Sequence, residues 1–285
     1  MKKKMIFTPE VNRIMRLIRS QGLHTVCQSA RCPNLTECFN HQTATFLLMG
    51  DICTRQCRFC GVEKGCPQSL PDPHEPERIA VAVKELGLSY VVLTSVTRDD
   101  LEDEGVGHFL RTVDWLHTQM PEIQIEILTP DFQRNHHLLS QLAWAPFQVF
   151  NHNLETVPDL YAQIRPFARY ETSLRLLGKM KELNPHLIVK SGLMVGLGET
   201  VIQLESVFRD LVDIHCDILT IGQYFPPSPQ AFPLVEMKDE NFFKDIENMA
   251  RSLGINLVAA GTYVRSSYHA ENFYSACTSI VSHSF

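Results

Sequence analysis

Three cysteines, Cys53, Cys57 and Cys60, stand at C-x3-C-x2-C spacing directly after the apolar run ATFLLMG at residues 44–50. A short apolar run ending in glycine reads as a buried strand, which puts the thiols on the loop leaving it. Three thiolates at this spacing hold three irons of a 4Fe-4S cluster. No fourth cysteine completes the set within that loop, so one iron keeps an open position. An open iron can chelate the amine and carboxylate of S-adenosylmethionine and pass one electron to its sulfonium. The product is a 5′-deoxyadenosyl radical able to take hydrogen from an unactivated C–H bond, while the protein supplies binding and exclusion of water. The competing assignment is structural zinc, which closes four ligands and often uses two C-x2-C pairs. Only Cys57 and Cys60 form such a pair here.

A strand that delivers a metal loop constrains the chain beyond it. Further apolar runs at 90–95, 123–129, 147–151, 187–193 and 218–223 predict buried strands, and helix-period stretches at 76–87, 171–183 and 200–214 fall between them. The alternation implies an α/β fold with a parallel sheet and helices outside it. Six strands suit a partial (β/α)6 barrel better than a closed eightfold one. We expect three segments: an N-terminal cluster-binding extension over 1–43, the barrel over 44–235, and a C-terminal helix (239–253), strand (255–260) and tail within 236–285. Residues 5–22 predict a helix with Val11, Ile14, Met15 and Ile18 on one side, 23–43 an irregular wrap, and the prolines of 224–235 an extended connector. Chemistry in parallel barrels sits at the C-terminal strand ends. Those ends carry Asp51 and Cys53, then Arg98, Asp99 and Asp100, then Asn151, Asn153 and Glu155, and then Lys190 before a glycine-rich turn.

A second set, Cys27, Cys32 and Cys38, lies upstream of the first strand. Disulfides do not suit a reducing cytosol or a chain of 285 residues. Zinc is one assignment for this set. A second 4Fe-4S cluster, serving as electron relay or as sulfur source, is the better account beside a radical-generating loop. Cys66, Cys216 and Cys277 are isolated and receive no role. The net charge of −6 speaks against a nucleic-acid partner, and no apolar run approaches the roughly 20 residues that span a bilayer. The opening MKKKMIFTPE lacks the apolar stretch of a secretory signal, so its lysines read as a solvated tail and the expected location is cytoplasmic. No apolar helix face is left over, which points to a monomer.

Several blocks together resemble the lipoyl synthase family of radical S-adenosylmethionine enzymes. They are LHTVC at 23–27, ARCPNLTEC at 30–38, ATF at 44–46, MGDIC at 49–53, TSVTRDDL at 94–101, FNHNLE at 150–155, KSGLMVGLGET at 190–200, GQY at 222–224 and VRSSYH at 264–269. The resemblance covers about residues 20–270. It implies a partial (β/α)6 barrel and insertion of two sulfur atoms, at carbons 6 and 8, into an octanoyl chain on a lysine of a carrier domain. The implied carriers are the E2 subunits of 2-oxoacid dehydrogenases and the H protein of glycine cleavage, with ferredoxin or flavodoxin as electron donor. Residue by residue, it implies that Cys53, Cys57 and Cys60 hold the radical-generating cluster and that Cys27, Cys32 and Cys38 hold an auxiliary cluster consumed as sulfur donor. The fourth auxiliary ligand implied is a serine of the RSSY motif, by alignment Ser267, with the neighbouring Ser266 as the alternative. A serine oxygen is a harder, weaker partner for iron than thiolate, which suits release of that iron. Without the family, both serines read as ordinary turn residues.

The stretch from Gly192 through Gly196 to Glu199 resembles the family's adenosyl-binding turn. Phe59 either packs near the adenine or shields the cluster. Asn151, Asn153, Glu155 and Lys190 are candidates for cofactor or substrate contacts, Arg98 and Asp99 for an ion pair at the barrel rim, and Arg265 for orienting the serine loop or meeting a carboxylate. Arg58 stands where the family often has proline, and Gly61 where aspartate is common; neither replaces a ligand. The competing readings are another two-cluster radical enzyme of the biotin-synthase or methylthio-transferring type, a ferredoxin-like carrier, and a zinc-stabilised binding module. Anaerobic metal analysis separates the classes: we expect about eight irons with sulfide per chain, and zinc with little iron would point to the binding module.

Overall fold

The computed structural model describes residues 6–40 and 44–282. The lysines at 2–4 and part of the segment expected to form the irregular wrap lie outside the described residues. The chain divides into two compact units, one formed by residues 1–56 and 61–148 and the other by 57–60 and 149–285.

The first unit opens with α1 (Pro9–Ser20), which Thr8 caps by accepting from the Val11 N–H at 3.3 Å and which buries Val11, Ile14, Leu17 and Ile18. Leu17 takes the place expected for Met15. The segment expected to be irregular instead holds β1 (His24–Thr25), α2 (Val26–Ser29) and α3 (Leu35–Asn40). Short polar-rich elements of this kind leave little periodicity to read. Next come β2 (Thr45–Leu48), a small parallel pair of β3 (Ile52–Cys53) and β4 (Glu63–Lys64), and α4 (Glu75–Leu86). They are followed by β5 (Tyr90–Ser95), α5 (Val106–Gln119), β6 (Gln124–Leu128) and α6 (Leu139–Ala143). Strand β2 pairs parallel with β5, and β5 with β6, while β1 adds antiparallel to β2. The strand interiors are uniformly buried, as parallel strands covered by helices require.

The second unit contains β7 (Val149–Asn151), α7 (Tyr161–Ile164), α8 (Tyr170–Leu183), β8 (Ile188–Val195), α9 (Val201–Asp213) and β9 (Ile218–Gln223). It ends with α10 (Glu240–Leu253), β10 (Leu257–Gly261) and α11 (Ala270–Ser282). Strands β7, β8, β9 and β10 pair parallel in that order. The predicted strands at 90–95 and 218–223 coincide with β5 and β9. The connector 224–235 carries no helix or strand. Helix α11 was not anticipated; it places Cys277 in a core cluster with Val149, Ile188 and Ile218, so this thiol is core filling. Among the described residues no helix is long and apolar enough to cross a membrane.

One buried polar pair secures the exit of β2. Glu75 accepts from the Met49 N–H at 2.9 Å and lies 2.6 Å from His108 Nε2, and both side chains are buried. Removing the carboxylate strands a backbone donor and an imidazole away from water. Glu75→Ala is expected to lower stability by about 3 kcal/mol, read from the chemical denaturation midpoint. A shift no larger than that of an exposed control such as Glu182→Ala would show that the pair carries no weight.

Candidate active site

Beyond β2, Met49 and Gly50 turn the chain with φ of 66° and 92° into the cysteine loop. Cys53 ends β3, where its carbonyl accepts from the Gly65 N–H at 3.0 Å. Its sulfur accepts from the Thr97 N–H at 3.3 Å. Hydrogen bonds to cluster sulfurs tune reduction potential. The Thr54 hydroxyl lies 3.0 Å from the Thr97 carbonyl and 2.9 Å from the Asp99 carboxylate, and it accepts from the Asp99 N–H at 3.1 Å. Arg55 turns inward and is buried. Its Nη2 donates to Asp99 at 2.7 Å and to Asp131 at 3.1 Å. Burial works against the guanidinium charge, but the two carboxylates outweigh it and hold Arg55 protonated.

The ion pair expected between Arg98 and Asp99 is not formed. Arg98 is buried and forks onto Asp100 at 2.8 and 2.9 Å, while its Nη2 also donates to the Ser69 carbonyl at 2.9 Å. Asp99 belongs to Thr54 and Arg55 instead. The chain turns over Asp99 and Asp100, with the Leu101 N–H returning to the Arg98 carbonyl at 3.0 Å, so neighbouring side chains reach different partners.

The other part of the cysteine loop packs within the second unit. The Arg58 N–H donates to the Ile164 carbonyl and the Arg58 carbonyl accepts from the Phe232 N–H, each at 2.8 Å. The guanidinium of Arg58 lies 5.2 Å from the centre of the Phe232 ring. Phe59 packs against a core of Ile164, Leu197, Tyr224 and Phe232. The Tyr224 hydroxyl donates to the Phe232 carbonyl at 2.7 Å, and burial pushes its phenol up to about 12. The connector is therefore stitched to the loop that carries Cys57 and Cys60.

At the end of β7, Asn151 is fully buried, and so is Lys190 on β8. The Asn153 amide donates to Glu155 at 3.2 Å. Glu155 has φ of 68°, a sparsely populated region for a residue with a side chain. Burial raises its carboxyl, and Arg165, Asn153 and Arg265 oppose that rise. In the following turn Gly196 has φ of 93°, and a Cβ there would lie 2.3 Å from Gln223 Nε2 and from the Glu236 carbonyl. The two oxygens of Glu199 accept from the N–H groups of Gly196 and Leu197 at 2.7 and 2.9 Å. This carboxylate shapes the turn.

The serine loop lies after β10. Asn151 donates to Ser266 Oγ at 2.7 Å, and Ser266 Oγ donates to Asn153 Oδ1 at 2.9 Å. Ser267, also half-buried, takes no hydrogen-bond partner among the described residues. Arg265 stands over the Phe225 ring at 5.6 Å, and Phe225 stacks on Tyr263 at 5.9 Å. Sequence reasoning missed Arg55, Thr97 and the tie made by Ser266. All three act through contacts distant in sequence.

Of the second cysteine set, Cys27 lies on α2, Cys38 on α3 and Cys32 between them, with the Cys32 N–H on the Cys27 carbonyl at 3.0 Å. Burial, followed by the nearby Cys32, pushes the Cys27 thiol up to about 11. Among the described residues no three Cys, His, Asp or Glu side chains are gathered tightly enough to hold an ion as they stand. Metal sites are seldom preformed, and binding itself draws the ligands in. The donor chemistry fits iron–sulfur clusters, because each set is three soft thiols with no carboxylate or imidazole among them.

Residues 47–211 match the Radical SAM superfamily. The curated lipoyl synthase of Caldanaerobacter subterraneus subsp. tengcongensis is 50% identical over 269 residues, covering 94% of each chain. Lipoyl synthase 2 of Thermosynechococcus vestitus is 48% identical over 267 residues, covering 92% of each. Among solved structures, methylornithine synthase matches 92% of this chain and 84% of its own at a TM-score of 0.55 and 15% identity. The hydrogenase maturase HydG from Carboxydothermus hydrogenoformans matches 80% of this chain at a TM-score of 0.60 and 14% identity; the match spans 55% of HydG. Those two share the fold, an α/β partial barrel of the radical S-adenosylmethionine type. Half-identity across nearly the full length carries the assignment further, and the chain belongs to the lipoyl synthase family of the Radical SAM superfamily.

Proposed function

We propose that this sulfurtransferase inserts sulfur at carbons 6 and 8 of an octanoyl group held on a lysine of a carrier domain. The carriers we assign are E2 subunits of 2-oxoacid dehydrogenases and the glycine cleavage H protein, with ferredoxin or flavodoxin as reductant, in the cytoplasm. When bound, a 4Fe-4S cluster with one open iron supplies one-electron cleavage of S-adenosylmethionine and the radical that abstracts hydrogen.

The chain's own residues divide the remaining work over three segments, 1–43, 44–235 and 236–285. Cys53, Cys57 and Cys60 hold the radical-generating cluster. Arg55 fixes the turn between the first two of them, and the Thr97 N–H stabilises charge on the first. Phe59 shields the loop from water. Asn153 and Glu155 beyond β7, and Lys190 beside Asn151 on β8, supply donors and acceptors for the amine, carboxylate and ribose of the cofactor, and Glu199 holds the shape of the Gly196 turn by accepting from its N–H groups. Cys27, Cys32, Cys38 and Ser267 hold the auxiliary cluster, which is spent as the sulfur substrate.

The observation that carries the ligand set is the contrast between the two serines. The Ser266 hydroxyl is committed to Asn151 and Asn153, whereas that of Ser267 has no partner among the described residues. A hydroxyl that the protein does not already hold can turn toward a metal.

The decisive measurement is mass spectrometry of an octanoylated carrier-domain peptide after incubation with reduced enzyme and S-adenosylmethionine. A product heavier by two sulfur atoms is expected, and an unchanged octanoyl mass beside a working control enzyme would remove the assignment. Cys57→Ala is expected to abolish cleavage of S-adenosylmethionine while the auxiliary cluster remains visible by Mössbauer spectroscopy. Ser267→Ala is expected to keep that cleavage and lose lipoyl product; wild-type product yield from it would rule out Ser267 as ligand.

A further inference from the structure

The loop that carries Ser267 must be held in one register if a hydroxyl is to serve as a ligand. Three contacts fix it within the second unit. Gly222 of β9 admits the tail backbone, since a Cβ there would lie 2.1 Å from the Val264 carbonyl oxygen. Phe225, Tyr263 and Arg265 form a stack beside it. These contacts set how closely the loop approaches. They are poor at setting register, because apolar and stacking contacts tolerate sliding. Hydrogen bonds are directional and do not.

The register contact is Ser266. Its oxygen accepts from Asn151 Nδ2 and donates to Asn153 Oδ1, so a single hydroxyl is read as acceptor by one strand-end amide and as donor by the next. Asn151 is itself buried at the end of β7. Asn153 continues the chain to Glu155 at 3.2 Å. A slip of one residue would send Ser267 or Arg265 into the amide pair; arginine has no acceptor for Asn151, and Ser267 could enter only by giving up its place as ligand. Only a small side chain with both a donor and an acceptor satisfies the pair as it stands.

We propose that Ser266 is a positioning residue for sulfur insertion: it locks the tail to Asn151 and Asn153 and thereby presents the next residue, Ser267, to the auxiliary cluster. This rests on the assignment of Ser267 as ligand. Loss of the lock lets the loop sample other registers while the cysteine loop still generates radicals, so cofactor is spent without product.

The test uses reconstituted holoenzyme and two readouts. The first is amide exchange at Val264 and Tyr268, whose N–H groups bond to Gly261 and Arg265 within the loop. The second is the ratio of 5′-deoxyadenosine formed to lipoyl product. Ser266→Ala and Asn151→Ala are expected to speed exchange at both amides at least tenfold and to raise the ratio several-fold. Ser266→Thr, which keeps the hydroxyl, is expected to restore both toward wild type. Wild-type exchange and ratio in Ser266→Ala would overturn the proposal, as would failure of threonine to restore either readout. Ser267→Ala separates this from the ligand assignment. It is expected to keep slow exchange and lose product. Slow exchange with full product would sink the ligand assignment and leave the lock standing. Fast exchange in Ser267→Ala with slow exchange in Ser266→Ala would place the lock on the wrong serine.

Discussion

The cysteine loop depends on one buried guanidinium. Arg55 sits between Cys53 and Cys57 and reaches Asp99 and Asp131, two carboxylates on separate segments of the first unit. A charge taken from water at this depth is tolerable only when it is paired and hydrogen-bonded. The pairing therefore leaves the loop one way to fold. Rotating Arg55 outward would cost the buried Asp131 its bond to the guanidinium and leave it to donors such as Gln133, so the pairing braces the backbone around the first cysteine. Thr54 and Thr97 reinforce the same place through short polar contacts.

The rest of the site follows a common pattern. The strand bodies are mostly apolar, and several C-terminal ends turn polar, at Thr94, at Asn151 and Asn153, and at Gln223, whereas Lys190 lies near the start of β8 beside Asn151. Buried polar groups must find partners, and here many of the partners come from loops that return to the strand ends. Gln223 accepts from the Lys238 N–H at 2.9 Å and donates to the Glu236 carbonyl at 3.1 Å, and Tyr224 holds Phe232. Polar strand ends thus act as docking points for loops as well as contacts for small molecules.

Much of this was readable in advance. The strands at 90–95 and 218–223 stood out because buried parallel strands are continuous apolar runs bounded by turn residues. The cysteine sets stood out in the sequence because thiolate spacing suggests a chemistry directly. What escaped was whatever depends on distant partners. Arg55 looked like any charged loop residue, since nothing nearby in sequence announces Asp131, 76 positions away. Ser266 and Asn151 are 115 positions apart. The turn at Glu199 invited a ligand role because it resembles a binding motif, although its carboxylate is taken up by its own backbone. Arg98 and Asp99 are adjacent and opposite in charge, yet the turn after Arg98 carries Asp100, not Asp99, onto the guanidinium. Helix α11 carries a weak amphipathic signal beyond the last recognisable motif, so only packing reveals it.

The Arg58 amide bonds to the carbonyl of Ile164, a contact that a proline at this position could not make. Proline has no amide hydrogen and stiffens the chain covalently instead. The two solutions brace the same loop by different thermodynamic routes. One restricts the disordered chain in advance; the other adds an enthalpic clasp to the folded one. The clasp can open and close without breaking a covalent constraint. The amide clasp is thus a reversible latch beside Cys57, and a proline placed at Arg58 would give up the latch to gain the stiffness.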